Sequence, residues 1–164
     1  MNKNTALVMG IDCGTQGIRC LISDLEGNII ADGQEKILSS NKIGDWFEQD
    51  PNEWWTKTQI CIQKTISDLE KNGYSPLNIH CLSIDSTSGT VIPIDENNRP
   101  LCPAIMYNDS RAKEESFHIN HIASDFTQKI GYQFDPSFAL CKVFWLKNHL
   151  PEIYDKTKVF LHAC

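Results

Sequence analysis

The stretch GIDCGTQGIR near the N-terminus combines a carboxylate, a guanidinium and several small residues directly after an apolar run. Gly14, Thr15 and Gly17 expose backbone N–H groups of the kind that surround phosphate oxygens. Asp12 offers the oxygen ligand that Mg²⁺ prefers, either directly or through water. The charge of Arg19 suits a phosphate or an acidic partner in the sheet. The stretch therefore indicates phosphate and magnesium chemistry, and a plain β-hairpin turn is the alternative, favoured when the stretch is taken alone.

A second polar segment, SIDSTSGT, spans Ser83–Thr90 and ends an apolar run. Asp85 lies in its strand-like part. The hydroxyl groups that follow can donate and accept hydrogen bonds, as recognition of a polyol requires: Ser86, Thr87, Ser88 and Thr90. The alternative is a plain turn between two strands, and the segment taken by itself favours it.

A third segment, YNDSR, places a carboxylate two residues before a guanidinium. A structural ion pair between Asp109 and Arg111, which would fix the loop, is the favoured interpretation. Direct contact of Asp109 with a substrate is the alternative. Both interpretations place Asp109 among the candidate site residues.

Four aromatic side chains lie around the start of a predicted helix: Trp46, Phe47, Trp54 and Trp55. Aromatic rings bury a large apolar area, and the face of a ring can also stack on a sugar. Packing of the helix start against a sheet is the favoured interpretation for this cluster, and sugar stacking is the alternative.

Apolar patterns predict the strands that must position these segments. Residues 6–11, 18–24 and 29–37 are strand-like runs joined by short connections, which predicts an antiparallel meander. Residues 79–86 form a fourth strand, reached through a helix and therefore expected to be parallel to its neighbour. Residues 90–95 are predicted as a fifth strand.

The helix between the third and fourth strands has clear start and stop signals. A capping-box pattern spans Asp50–Glu53, Pro51 suits the first helical position, and Gly73 suits the helix end. Residues three or four apart predict the buried face: Trp55, Thr58, Ile62, Ile66 and Leu69. Further helices are predicted over residues 113–129 and 140–149.

Composition narrows the function classes. The 164 residues suit one domain, and the formal net charge of −6 without a basic run disfavours a nucleic-acid partner. The seven cysteines include no C-x-x-C pair, which indicates reduced thiols and a cytoplasmic protein. No apolar stretch reaches about 18 residues, so we expect no membrane partner.

Four segments resemble one family, the FGGY carbohydrate kinases. GIDCGTQGIR is similar to the family's G-I-D-x-G-T-x-x-x-R phosphate hairpin, and FEQDPNEWW to its E-Q-x-P-x-x-W-W segment. The run from IDSTSGT to YNDSR resembles the family's two strands, turn and D-x-R loop, and KVFWLKNHLPEIY resembles K-x-x-W-L-x-x-x-x-P-E. The segments occur in the family's order between residues 7 and 161.

The resemblance implies an α/β fold of the ribonuclease H-like, actin-like ATPase type. Its mixed five-stranded sheet has three antiparallel strands, then a parallel fourth, with flanking helices. The implied cofactors are ATP and Mg²⁺, and the implied partner is a small sugar. Asp12 matches the family's catalytic, Mg²⁺-associated position, and Arg19 matches its arginine. The family's phosphate-facing hairpin corresponds to Gly14, Thr15, Gln16 and Gly17.

Ser88 and Gly89 match the family's sugar-discriminating pair, and Asp109 matches the aspartate of its D-x-R loop. The pair is small and uncharged here, and the TSGT and YND segments resemble pentulose kinases of the D-ribulose and D-xylulose type. The resemblance therefore implies ATP-dependent phosphorylation of a pentulose. The alternatives are a glycerol or other polyol kinase of the same family and a non-catalytic actin-like nucleotide-binding module.

FGGY kinases also have a second, adenosine-binding domain and a catalytic aspartate late in the first domain. By resemblance, residues 1–164 form a truncated N-terminal domain whose partner carboxylate, the catalytic base, lies beyond Cys164. We expect this chain alone to be inactive. The sequence leaves open whether the protein forms a homodimer.

Overall fold

Residues 5–163 are described in the computed structural model, and they divide into two units. The first unit contains the residues up to Leu38 together with Asn52–Thr87. The second contains Ser39–Pro51 together with Ser88–Ala163. The chain therefore leaves the first unit at Ser39, returns at Asn52 and leaves again at Ser88.

Within residues 5–163, five strands precede the first α-helix, three more follow it, and a run of helices precedes the last strand. The strands are β1 (Leu7–Gly14), β2 (Gly17–Asp24), β3 (Ile29–Lys36), β4 (Asn41–Ile43), β5 (Trp46–Gln49), β6 (Ile79–Ser86), β7 (Ile92–Ile94), β8 (Ala104–Ile105) and β9 (Val159–Leu161). The helices are α1 (Pro51–Lys71), a 3₁₀ turn (Pro76–Asn78), α2 (Lys113–Ile122), α3 (Ser124–Ile130), α4 (Ala139–His149) and α5 (Pro151–Lys156).

The first unit is built on a four-stranded mixed sheet in the order β3-β2-β1-β6. β1 pairs antiparallel with β2, and β2 pairs antiparallel with β3, because their connections are too short for any other arrangement. β6 pairs parallel with β1 after the crossover through α1. The predicted meander and the parallel fourth strand are confirmed.

One face of this sheet packs against α1. Alternate side chains of β1 and β2 are buried in this core, including Met9 and Ile22. The helix contributes Cys61, Thr65 and Leu69, whereas Trp55, predicted on the buried face, is 67% exposed. The prediction was wrong for Trp55 because the buried face is centred on Cys61 and Thr65, and helical periodicity places Trp55 to the side of that centre. A Cβ added at Gly33 would lie 2.4 Å from the Thr65 hydroxyl.

The second unit contains two small sheets, β4-β5-β8 and β7-β9. The predicted fifth strand, residues 90–95, forms β7, but β7 pairs antiparallel with β9 instead of joining the mixed sheet. The predicted five-stranded sheet is thus corrected to four strands among residues 5–163. Pro93 lacks an N–H group, which disfavours a central place in a ladder and suits a short two-stranded pair.

The helices of the second unit surround a separate core that contains Val91, Ile105 and Trp145. The helix predicted over residues 113–129 is interrupted at Ala123, which separates α2 from α3. The helix predicted over residues 140–149 is confirmed as α4. No helix formed by residues 5–163 combines the length and the apolar character needed to cross a bilayer.

Candidate functional site

The predicted phosphate segment forms a tight hairpin between β1 and β2. Its last pair in the ladder is Gly14 opposite Gly17, so only Thr15 and Gln16 form the turn. A Cβ at Gly17 would lie 2.4 Å from the backbone oxygen of Glu35, which excludes any side chain without a backbone shift. The hairpin alternative and the phosphate interpretation are thus compatible, because the turn that reverses the chain also presents its small residues.

Asp12 and Arg19 are direct neighbours across this hairpin. One Arg19 guanidinium nitrogen donates to Asp12 Oδ2 at 3.0 Å, and the two side chains are 47% (Asp12) and 65% (Arg19) exposed. The sequence leaves open a phosphate or an acidic side chain as the partner of Arg19, and the structure shows the acidic partner, Asp12. An ion pair this exposed contributes little to stability, about 0–1 kcal/mol. Either group can therefore exchange its partner for a ligand at small cost.

Asp85 is a candidate site residue that the sequence did not single out for chemistry. The parallel register of β1 and β6 places Asp85 opposite Asp12. Directly opposed residues share one face of a sheet, so this face carries Arg19, Asp12 and Asp85 on three adjacent strands. Asp85 is exposed, and its Oδ1 accepts the Ser86 N–H at 2.8 Å. The signal for it is the acidic residue at the end of a strand parallel to β1.

The donor set around Asp12 fits a magnesium ion that keeps water and phosphate ligands. No group of three or more His, Cys, Asp or Glu side chains within residues 5–163 is arranged to hold a metal by itself. Mg²⁺ is commonly bound by one or two carboxylates plus substrate phosphates, with several waters retained. The half-exposed carboxylate of Asp12 meets that requirement, and Asp85 offers a second one.

The predicted sugar pair lies at the start of the second unit. Ser88 is exposed, and Gly89 has a φ of +77°, a left-handed conformation that favours glycine. A Cβ at Gly89 would lie 3.4 Å from Tyr107 Cβ, so this backbone passes close to the predicted D-x-R loop. Thr90 is fully buried, and its hydroxyl has no hydrogen-bond partner among the described residues.

The predicted ion pair between Asp109 and Arg111 is confirmed as a buried structural unit. Asp109 is fully buried and accepts from Arg111 at 2.7 and 3.0 Å and from the Phe47 N–H at 2.6 Å. Glu48 adds a second carboxylate at 2.8 Å from the guanidinium. Burial alone lowers the pKa of Arg111, but the hydrogen bonds to these two carboxylates raise it above its ordinary value. The structure thus favours the structural role of Asp109 over direct contact with a substrate.

Two tryptophans enclose the same guanidinium. The guanidinium carbon of Arg111 lies 4.0 Å from the ring centre of Trp46 and 4.9 Å from that of Trp145, in cation–π geometry. The two rings meet edge to face at 5.3 Å. Trp46, from the predicted aromatic cluster, therefore has a packing role.

Lys142 is the second residue near the predicted site that the sequence did not single out. It lies on α4, has 0% exposure, and its ammonium donates to three backbone oxygens. The acceptors are Met106 at 2.6 Å, Gly89 at 2.9 Å and Tyr107 at 3.3 Å. Burial lowers the pKa of Lys142 to about 8. Its sequence signal is the lysine of the K-x-x-W-L segment.

The predicted site residues are divided between the two units. The first unit holds the phosphate and metal candidates: Asp12, Gly14, Thr15, Gln16, Gly17 and Arg19. The second unit holds the sugar candidates: Ser88, Gly89 and Asp109. Within the first unit, the Thr15 and Thr87 hydroxyls lie 3.3 Å apart, so the hairpin tip contacts the residue that precedes the sugar pair.

The six cysteines within residues 5–163 form no disulfide with one another, and Cys164 lies outside the described residues. Burial raises the pKa of three thiols to about 11: Cys61, Cys102 and Cys141. A thiol with so high a pKa is almost entirely protonated at neutral pH and is a poor nucleophile.

Comparison with known proteins relates the whole described chain to one family. The family model for the N-terminal domain of the FGGY family of carbohydrate kinases matches residues 7–163. A xylulose kinase from Staphylococcus epidermidis is 30% identical over 156 residues, which cover 94% of this chain and 30% of that protein. A ribulokinase from Geobacillus thermodenitrificans is 28% identical over 182 residues, which cover 95% of this chain and 32% of that protein.

A solved structure shows the same fold. The crystal structure of Plasmodium falciparum glycerol kinase with ADP superposes with a TM-score of 0.85 and 26% identity, over 97% of this chain and 33% of that one. The chain thus spans about 30% of the length of the curated relatives it matches. Their sequences extend well beyond the region that these 164 residues match.

Proposed function

Because the chain belongs to the FGGY family of carbohydrate kinases, whose N-terminal domain it matches over residues 7–163, we propose that the protein phosphorylates a sugar hydroxyl with ATP. The proposed acceptor is a pentulose such as D-ribulose or D-xylulose. The observation that carries the proposal is this match together with the β1–β2 hairpin, whose tip has only two residues and whose Asp12 is half exposed. The relatives named xylulose kinase and ribulokinase support the pentulose.

In the proposed reaction the hairpin orients the outer phosphates of ATP. Backbone N–H groups at Gly14–Gly17 donate to phosphate oxygens, and Arg19 turns from Asp12 to the phosphate charge. Asp12 would hold Mg²⁺ through water, and Asp85 would add negative charge on the same face of the sheet. Bound Mg²⁺ would neutralise charge on the transferred phosphoryl group.

The sugar is proposed to bind at Ser88 and Gly89. The Ser88 hydroxyl is exposed and can exchange hydrogen bonds with a sugar hydroxyl, and Gly89 leaves room that a side chain would fill. Asp109 acts indirectly, since it is buried and holds the loop through Arg111. The small, uncharged pair provides no partner for an ionic substrate.

The coverage of only about 30% of the relatives supports a further proposal on domain organisation. The catalytic base and the adenosine site are proposed to belong to parts of the protein outside these 164 residues. The chain alone would then lack kinase activity, and purified chain should release no ADP in a sugar-dependent manner.

The cysteines of residues 5–163 form no disulfide with one another, which fits a protein that works in the reducing cytoplasm.

The test is ADP release by the whole protein with D-ribulose, D-xylulose, glycerol and no sugar. We expect turnover with a pentulose above the sugar-free rate. Turnover with glycerol as the only active acceptor would overturn the pentulose assignment in favour of a polyol kinase. Nucleotide binding without any sugar-dependent turnover would support a non-catalytic actin-like module.

A variant pair tests the assignment of Asp12. Asp12→Asn is expected to lower kcat by roughly 100-fold, a typical loss for one electrostatic group in a charged transition state. Asp32→Asn is the matched control, because Asp32 is an exposed carboxylate on β3 of the same sheet. Equal activity of the two variants would remove Asp12 from the proposed mechanism.

A further inference from the structure

Lys142 occupies an unusual position for a lysine. Its side chain is fully buried on α4, and lysines are almost never fully buried unless their charge is compensated. The compensation comes from three backbone oxygens, those of Gly89, Met106 and Tyr107, which use all three N–H donors of the ammonium. The cation is thus held by backbone dipoles.

The neighbouring carboxylate, Asp109, is already engaged by Arg111 and by the Phe47 N–H. It attracts Lys142 electrostatically, whereas the N–H donors of the ammonium are bonded to the three backbone oxygens. Burial of a charge without a dedicated carboxylate is costly, and an apolar side chain of similar length would avoid that cost. Stability alone therefore does not require a lysine here. Its contribution is that the ammonium fixes the geometry of three carbonyl groups.

The three carbonyls belong to two separate chain segments. Gly89 lies beside the exposed Ser88, and Met106–Tyr107 follow β8 and lead into the loop of Asp109. The segments touch where Gly89 approaches the Tyr107 side chain. Two backbone hydrogen bonds of 2.9 Å between Val91 and Ile105 already join these segments, and the ammonium adds the bonds that hold them together at Gly89 and Tyr107.

We propose that Lys142 is a positioning residue for sugar binding, which holds the Ser88-Gly89 segment against the Tyr107 segment without contacting the sugar. The proposal rests on the proposed function of Ser88 and Gly89. Loss of the ammonium would leave Gly89 and Tyr107 free to shift beyond the Val91–Ile105 bridge, so sugar affinity would fall. The β1–β2 hairpin, which is proposed to bind the phosphates of ATP, belongs to the first unit, so affinity for ATP should change little.

Proton loss provides a second way to perturb the same contact. A neutral amine has two N–H donors for three acceptors, and the Tyr107 oxygen, at 3.3 Å, is the most distant. The charged or titratable groups that act on Lys142 are Cys141 on α4, Asp109 and Arg111 in the loop, and Asp135 before the helix. Burial places the pKa of Lys142 near 8 and that of Cys141 near 11, so the lysine titrates first.

The experiment compares three variants of the whole protein: Lys142→Met, Lys142→Arg and the control Lys147→Met. Lys147 is on the same helix and is exposed. The KM for D-ribulose or D-xylulose and the KM for ATP are measured from pH 6.5 to 9.5. Lys142→Met should raise the sugar KM at least about tenfold, the typical effect of a lost hydrogen bond to a charged group. Its ATP KM should stay within about twofold of wild type.

The pH profile separates positioning from a merely structural role. The wild-type sugar KM should rise about threefold or more between pH 7 and 9.5, as one of the three contacts is lost. Lys142→Arg keeps its charge throughout this range, so its sugar KM should not follow that rise. If the variants do not fold, as judged by circular dichroism, the wild-type profile decides, and a constant sugar KM overturns the proposal.

Two failures are distinguishable. If the wild-type protein shows no sugar-dependent ADP release, the proposed function fails and the role of Lys142 fails with it. If the wild type phosphorylates sugar but both Lys142 variants keep its sugar KM and its pH profile, only the positioning role is overturned. A parallel rise of the sugar and ATP KM values in Lys142→Met also overturns it, since that indicates general destabilisation.

Discussion

The buried ion pair of the second unit allows a sharp test of its contribution to stability. Asp109 has a fully buried side chain and Arg111 is 2% exposed, with 2.7 Å between Oδ2 and the guanidinium nitrogen. Asp45 and Lys113 form a pair of similar length, 2.6 Å, but both side chains are 55% exposed. The same substitution, aspartate to asparagine, can therefore be made at both sites, which differ in burial and in the backbone N–H groups of Phe47 and Arg111 that donate to Asp109.

The expected magnitudes follow from that difference. Removal of one partner from a buried pair costs about 3–5 kcal/mol, because the remaining charge is left uncompensated. In Asp109→Asn the guanidinium keeps Glu48 at 2.8 Å and the Trp46 ring at 4.0 Å, so we expect about 3 kcal/mol, the lower end. For a chain of this size that corresponds to a Tm decrease of about 6–12 °C. Asp45→Asn should leave the free energy of unfolding nearly unchanged, because water and salt screen this exposed pair.

The assay is urea unfolding of the purified chain at pH 7, followed by tryptophan fluorescence and by circular dichroism. Trp46 and Trp145 lie against the guanidinium, so fluorescence reports on this region. A cost below about 1 kcal/mol for Asp109→Asn, or equal costs for the two variants, would refute the reasoning. That result would mean that Glu48 and the aromatic rings alone compensate the buried cation.

Three further predictions concern glycine, a carboxylate and the thiols. Gly17→Ala should destabilise the chain by more than about 2 kcal/mol in urea unfolding, because its Cβ would meet the Glu35 oxygen. Gly10→Ala is the control and should be near neutral, because no atom lies within 4 Å of the added Cβ. Equal costs for the two variants would contradict this prediction. Hydrogen bonds, chiefly from Lys64, hold the pKa of Glu35 below its ordinary value. The stabilisation of the fold by ionised Glu35 is therefore present above that ordinary pKa and is lost as pH falls through the pKa of the folded state. The free energy of unfolding of wild type should then fall more steeply with decreasing pH than that of Glu35→Gln. Parallel curves would contradict this prediction. N-ethylmaleimide at pH 7.5 should label the exposed Cys81 first, as read by mass spectrometry. Equal labelling would contradict the high pKa of Cys61 and Cys141, which are buried, and of Cys102, which is half-buried.

Features that depend on neighbouring residues were predictable from the sequence. The β1–β2–β3 meander follows from short connections, and α1 begins at Pro51 and ends shortly before Gly73, as its terminal signals indicate. The pairing of Asp109 with Arg111 likewise follows from their separation of two residues. Local geometry limits each of these arrangements to few alternatives.

Features that depend on distant residues were not predictable in the same way. β7 pairs with β9 across more than sixty residues, and the sequence of β7 alone does not distinguish that partner from the mixed sheet. The buried face of α1 includes Thr65, which closely approaches Gly33, and these residues lie 32 positions apart. Helical periodicity alone does not show how closely a helix will approach its sheet.

The sequence by itself determined the hairpin that carries Asp12, because a connection of only Thr15 and Gln16 between two strand-like runs leaves little choice of turn. Only the tertiary structure placed Asp85 opposite Asp12, since that neighbour depends on the register of a parallel pair joined through α1. Only the tertiary structure brought the Lys142 ammonium to the carbonyls of Gly89 and Tyr107. The physical reason is the same in both cases: these contacts join segments whose separation along the chain leaves their relative position to packing.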